Sequence, residues 1–213
     1  MLNLKNLWWR AMNISRFNQD SYNDFELLSN EDLSLFRQEK YSKSELIYAQ
    51  NIKFIILKSG QAKLSYISGT NEFIINFINK GSIVLVDKDS VLEFMSDSLT
   101  MELNLCDIKE LFENEKFSMA MVNSLIRTTI MTRQIVADIV FGSLESRIVS
   151  FLHSLADEQH MMVRDKKVVQ IPFSIATLSN LLGAQRQSVS TIFNKLIKSG
   201  KLIKYGKSSY IIS

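Results

Sequence analysis

Toward the end of the chain, Val189, Ile192, Phe193, Leu196 and Ile197 recur at i, i+3, i+4, i+7 and i+8. That spacing predicts one apolar stripe of an amphipathic helix. The opposite face is Arg186, Gln187, Ser190, Thr191, Asn194, Lys195 and Lys198, with no acid and no large apolar side chain. A shorter helix is predicted over 174–182, with Ile175, Leu178, Leu181 and Leu182 to pack. Ser174 suits its N-cap, and Gly183 suits the left-handed position that ends it. Only Ala184 and Gln185 separate Gly183 from the second helix. Two short helices joined by a tight glycine turn predict a helix-turn-helix. Gly200 closes the second helix, and 201–205 and 209–212 read as strands around Gly206, Lys207 and Ser208, a small wing.

Earlier in the chain the period changes. Short apolar or alternating runs at 53–57, 62–67, 73–78, 82–86, 91–94 and 99–105 predict strands, separated by turn signals such as Ser59-Gly60 and Asn79-Lys80-Gly81. Regular short strands predict a sandwich or jelly roll. Helices are expected over 23–38 and 107–112. A long one free of Gly and Pro is expected over 118–141, followed by another over 144–158 with Ile148, Phe151, Leu152 and Leu155 inward. A hairpin is expected from 161–163 and 168–171 around residues 164–167, and Pro172 leads into the helix-turn-helix.

The long helix carries two stripes. Met121, Leu125, Thr128, Thr132, Ile135 and Ile139 form one; Val122, Ile126, Thr129, Val136 and Val140 form the other, interrupted by Arg133. A helix apolar on two sides needs two partners. One is its own β domain and the other the same helix of a second chain; the alternative is a single buried helix in a monomer. The first stripe is taken as the dimer contact. Gly142 ends the helix and is read as a hinge.

Charge adds a function class. Residues 1–142 carry 15 Lys/Arg against 18 Asp/Glu, whereas 143–213 carry 10 against 4. From Ser174 onward there are six basic residues and no acid. An acid-free basic stretch on a folded segment is the footprint of a nucleic-acid binder. The bland alternative is a helical hairpin with a solvated face, but solvated faces usually mix signs. Cys106 is the sole cysteine, which excludes an internal disulfide and a four-thiolate cluster within one chain. Trp8 and Trp9 are expected to pack, at a place the pattern does not give. No signal peptide and no apolar run of about 20 residues is expected, so the expected compartment is the cytoplasm.

The order of these elements resembles the Crp/Fnr superfamily of bacterial transcription regulators from about residue 25 to the end. The stretch from Phe54 through Gly60 to Leu64 resembles the second and third β-roll strands, and Gly81 the glycine before the ligand cassette. Leu144 to Leu152, with Arg147, resembles the first helix of the DNA domain. Thr177 to Ser190, with Gly183, Arg186 and Val189, resembles its helix-turn-helix. The resemblance implies an α+β fold: a β-roll or jelly-roll sensor domain of cyclic-nucleotide-binding type (1–116), a long dimerisation helix and hinge (117–142) and a winged helix-turn-helix (143–213). It implies a homodimer on double-stranded DNA, with Arg186, Gln187, Ser190 and Thr191 reading bases. Asn194, Lys195, Lys198, Lys204 and Lys207 would contact the backbone, and RNA polymerase would be a further partner of an activator. The chemistry agrees: Arg suits guanine, Gln adenine, and Ser or Thr either. Gln187 stands where the family commonly has glutamate, and Thr191 where many members have arginine, so the operator is not copied from other members.

The effector stays unknown, and no cofactor or metal is evident. Cyclic-nucleotide members carry Gly-Glu and Arg-Ser/Thr around a short helix. Here the segment after Gly81 has neither, is short, and contains Asp87 and Asp89, which would repel phosphate. Thr132 alone is a weak match to the hydroxyl that their dimer helix supplies. His153 and His160, the only histidines, fall in the DNA-binding half, which argues against a haem ligand. It also argues against a cupin-like enzyme, whose metal needs histidines on the barrel. No hydrolase triad or phosphate loop is found, so the expectation is a non-enzyme. The other alternative is a ligand-binding interaction module with little DNA affinity.

Overall fold

The computed structural model describes residues 33–104 and 112–212. Trp8, Trp9, Cys106, most of the helix expected over 23–38 and all but the last residue of the one expected over 107–112 lie outside the described residues. The chain forms two compact units that divide within the long helix, between Ile130 and Met131.

The first unit holds two four-stranded antiparallel sheets. One has the order β1(Arg37–Tyr41)-β8(Ser98–Asn104)-β3(Lys53–Ser59)-β6(Ile83–Val86); the other β2(Leu46–Tyr48)-β7(Ser90–Phe94)-β4(Gln61–Ser68)-β5(Asn71–Asn79). The unbroken apolar run in β3 has a direct cause. Successive side chains in a strand point to opposite faces, and here both faces are covered. Ile55 and Leu57 join Ile47, Val84, Leu92 and Phe94 in one cluster, while Phe54 and Ile56 join Met101, Leu103, Phe117 and Met121 in the other. Gly60 turns β3 into β4 at φ +93, and a Cβ there would meet Ser98 Oγ at 2.1 Å, so only glycine fits without a shift.

All six predicted strands are present, each within two residues of its expected bounds. Two further strands were not expected. β1 has no apolar alternation, and its pairing with β8 sets its conformation; β2 has only three residues. β1 also corrects the helix expected to reach residue 38. Arg37 and Gln38 pair with Glu102 and Met101 instead, so a ladder overrides local helical spacing there. Between β6 and β7 lie only Asp87, Lys88 and Asp89, in a turn closed by the Ser90 hydroxyl, which accepts from Asp87 N at 2.9 Å.

The long helix α1 runs Glu115–Phe141, with Asn114 Oδ1 accepting from Phe117 N at 3.1 Å at its start. Phe117, Ala120 and Met121 pack on the outer face of the first sheet, and Ser124 Oγ donates to Ile83 O at 3.2 Å.

The second unit contains α2(Leu144–Gln159), α3(Ile175–Leu182), α4(Arg186–Lys198) and a four-stranded sheet of order β11(Leu202–Lys204)-β12(Ser209–Ile212)-β10(Lys166–Gln170)-β9(Met162–Val163). Ile148, Phe151, Leu152 and Leu155 of α2 are buried, as their spacing predicts. The hairpin is tighter than expected. Arg164 and Asp165 alone turn the chain, both at positive φ, and Lys166 and Lys167 already pair with Val163 and Met162. Two positive-φ residues match the twist of the flanking strands.

Candidate nucleic-acid interface

Local sequence explains how the helix pair forms. Ser174 has extended backbone, and its hydroxyl accepts from Thr177 N at 3.1 Å. Gly183, at φ +58, ends α3 while its N–H reaches Ser179 O. Arg147 of α2 donates through Nη1 to Leu182 O at 2.6 Å, setting a cation on the electronegative end of α3. Leu178, Leu181 and Leu182 of α3 and Val189, Phe193 and Leu196 of α4 are all buried. Phe193 meets Tyr210 of β12 edge to face, with centroids 5.3 Å apart. Ile192 and Ile197, on the same predicted stripe, are half-buried.

That packing turns one face of α4 outward. Arg186, Gln187, Thr191, Asn194, Lys195 and Lys198 are exposed, and Ser190 is half-buried. Gln185, at the N-cap of α4, makes no side-chain cap to its first amides. The wing brings Lys204 and Lys207, both exposed, onto the same unit; its turn is closed by Tyr205 N donating to Ser209 O at 2.9 Å. Tyr205 is 56% exposed between these two lysines. Sequence reading took it only as the end of a strand, although an aromatic ring between basic residues was the available signal.

Glu145, at the start of α2, qualifies the picture of a one-signed face. Its carboxylate meets Lys195 Nζ at 2.9 Å and Lys201 Nζ at 2.8 Å. Hydrogen bonds from Lys201 and then Lys195 hold its pKa down at about 2. Lys195 therefore does not stand free toward a phosphate in this structure. The last forty residues contain no acid; the counter-charge comes from Glu145 of α2, thirty residues before the start of α3.

The residues assigned to the dimer contact fall into two groups. Met121 and Ile135 are 3% and 4% exposed within the single chain and so face inward. Leu125, Thr128, Thr132 and Ile139 are exposed. The more continuous outward apolar row is the other stripe, Val122, Ile126, Val136 and Val140, each at least 46% exposed, with Thr129 and Arg133 exposed between them. The first sheet covers α1 at Phe117, Ala120, Met121 and Ser124, all near its start. At Gly142, a Cβ would lie 2.5 Å from Asp138 O, so close approach of the helix end excludes any side chain without a shift.

Two polar clusters mark the first unit. Buried Glu102 accepts from Tyr41 Oη at 2.7 Å, Lys53 Nζ at 2.8 Å and Thr100 Oγ1 at 3.1 Å. Burial, then the Glu102 bond, push the Tyr41 pKa up. On the outer side of the second sheet, Lys63 meets Glu72 at 2.8 Å and Glu93 at 2.6 Å. Burial works against its ammonium, yet the two carboxylates outweigh it and raise its pKa. Among the described residues, no group of three or more His, Cys, Asp or Glu is placed to hold a metal ion. Nor is any described helix long and apolar enough to cross a membrane.

Residues 146–213 match the family model of the Crp-like helix-turn-helix domain. No curated protein matches the chain. Solved structures do. A mutant of CooA from Carboxydothermus hydrogenoformans aligns at TM-score 0.72 and 20% identity, covering 93% of this chain and 94% of that one. The c-di-GMP responsive global regulator CLP of Xanthomonas campestris aligns at TM-score 0.70 and 17% identity, covering 89% and 98%. A crp/fnr family protein from Eubacterium rectale aligns at TM-score 0.64 and 14% identity, covering 88% and 92%. At these identities the likeness is one of fold.

Proposed function

We propose that this chain, a Crp/Fnr-type regulator by its fold and its helix-turn-helix domain, acts as a cytoplasmic homodimer that reads a pseudo-palindromic DNA operator. The observation that carries this reading is the outward face of α4. Its apolar side is buried, while Arg186, Gln187 and Thr191 stand exposed at an end free of any side-chain cap. Arg186, Gln187, Ser190 and Thr191 read base edges. Asn194, Lys198, Lys204 and Lys207 hold phosphates, and Lys195 joins them on leaving Glu145. The N-terminal amides of α4 add a further phosphate contact.

In the dimer, the exposed row of α1 meets its two-fold mate and sets two α4 helices about 34 Å apart, one DNA turn. A signal at the β-roll biases α1 and the Gly142 joint between two arrangements. The three-residue turn between β6 and β7 leaves no room for a phosphate-cradling helix, which supports a signal other than a cyclic nucleotide. If the dimer activates transcription, RNA polymerase is its further partner. Catalysis is not part of this reading.

Glu145 favours the competing reading, an interaction module of low DNA affinity, because it neutralises part of the cationic face. Selection of bound genomic fragments by the purified chain separates the two. A shared palindrome whose binding weakens steeply with salt supports the regulator; no enrichment at any salt overturns it.

A further inference from the structure

The exposed row of α1 has one residue that an apolar seam should not hold. Val122, Ile126, Thr129, Arg133, Val136 and Val140 follow 4-3-4-3-4 spacing, the a and d positions of a heptad, with Ile126, Arg133 and Val140 at a. Arg133 is exposed, and among the described residues no acid pairs with it. Between Lys116 and Ala137 the helix contains no acidic residue. The positions that flank it across a parallel seam, Thr132 and Ala137, carry no negative charge. Asp138, the nearest acid, sits at the outer f position, where Gln134 Nε2 donates to it at 3.1 Å.

This inference rests on the dimer proposed above. A dimer matched to a two-fold operator is isologous, and where its two α1 helices run parallel about the axis each a or d residue faces its own copy. Arg133 then meets Arg133 of the second chain, two guanidiniums in a partly dry seam, and no carboxylate of the described residues is paired with either. Like charges in such a place either leave it or recruit a counter-ion. A guanidinium offers a planar fork of donors matched to an oxyanion, and two of them present two positive charges.

We propose that the paired Arg133 side chains form an oxyanion site on the dimer axis, selective for a doubly charged group of the phosphate class. Binding there ties dimer assembly to the anion, since a ligand held only by the dimer stabilises it by mass action. The site lies between the long helices and owes nothing to the missing cassette after β6.

Sedimentation of the full chain without DNA tests this, in phosphate and in chloride at matched ionic strength. The wild-type dimer should tighten about tenfold when phosphate exceeds its site affinity by a similar factor. Arg133→Leu should dimerise at least as tightly in either salt and lose the phosphate effect. Arg133→Lys should keep a weaker one, and Lys80→Ala, an exposed cation in the β5–β6 turn, should keep it whole. A wild-type dimer indifferent to phosphate overturns the site, as does a phosphate effect that survives Arg133→Leu. A chain that stays monomeric in both salts overturns the dimer itself, a separate outcome.

Discussion

Glu145 and Lys195 are joined across fifty residues of sequence by an ion pair of 2.9 Å, and the same carboxylate holds Lys201. The first helix of the second unit thus restrains a lysine of α4. A phosphate that takes Lys195 must displace this carboxylate. Glu145→Gln should therefore strengthen binding to random duplex DNA and steepen the salt slope, by up to about 0.9 for each lysine released. Fluorescence titration over a salt series measures it. An unchanged slope would show that neither lysine reaches a phosphate.

The same pair sets a pH dependence. The carboxylate titrates near 2 in the folded chain, against an ordinary 4.5. A depressed folded value stabilises the fold fully above the unfolded value and progressively less as pH falls through the folded one. The stability difference between wild type and Glu145→Gln should be constant above about pH 5 and vanish toward pH 2. Urea unfolding at each pH reads it. A difference that persists at the acid end would assign it to packing rather than charge.

Arg186 and Lys207 should fail differently. Arg186→Ala should cost about 1–3 kcal/mol on the operator and relax discrimination at one base pair. Lys207→Ala should weaken specific and random DNA alike and flatten the salt slope by about 1. Competition binding against operator variants separates the two patterns.

The proposed dimer uses the exposed row Val122, Ile126, Thr129, Arg133, Val136 and Val140, since Met121 and Ile135 of the other stripe are buried within the single chain. Val136→Asp places a charge at a d position of that row and should shift the chain to monomer without unfolding it, because Val136 is 52% exposed in the single chain. Sedimentation together with circular dichroism checks both halves of this expectation. A dimer that survives would return the contact to the Leu125 and Ile139 side.

Glu102 should behave as a structural carboxylate. Glu102→Ala strands Lys53 and the Tyr41 hydroxyl and should cost about 2–3 kcal/mol of stability. Removing Tyr41's hydroxyl alone, as Phe, should cost less. Equilibrium unfolding of the three chains gives the order.

The helix-turn-helix was legible because each local signal agreed with the packing. The Ser174 cap, the Gly183 turn and the Val189–Phe193–Leu196 stripe all recur as observed. The strands of the first unit were legible where apolar runs met glycine turns. β1 was not, because an edge strand of polar residues is shaped by its neighbour and carries no period of its own. Among site residues, the outward side of α4 followed from its stripe. The Glu145 pairing did not, since nothing in local spacing announces a contact between residues fifty apart. Both stripes of α1 were visible, but which of their residues pack within the chain depends on where the helix docks: Met121 joins the core under the first sheet while Leu125, one turn on, is exposed.

The Gln159 side chain donates to Gln170 O and accepts from Gln170 N, both at 2.7 Å, completing a strand-like pair with an amide. With Arg147 pinned to Leu182, this fastens both ends of α2 to the rest of its unit. The 16-residue helix is then a stiff rod of about 24 Å, and the proposed hinge at Gly142 would make it a lever arm. A swing of about 10° would carry its far end about 4 Å, close to the 3.4 Å rise between neighbouring bases. On the proposed function, a small rotation at that hinge would be enough to slide Arg186 and its neighbours by one step along an operator.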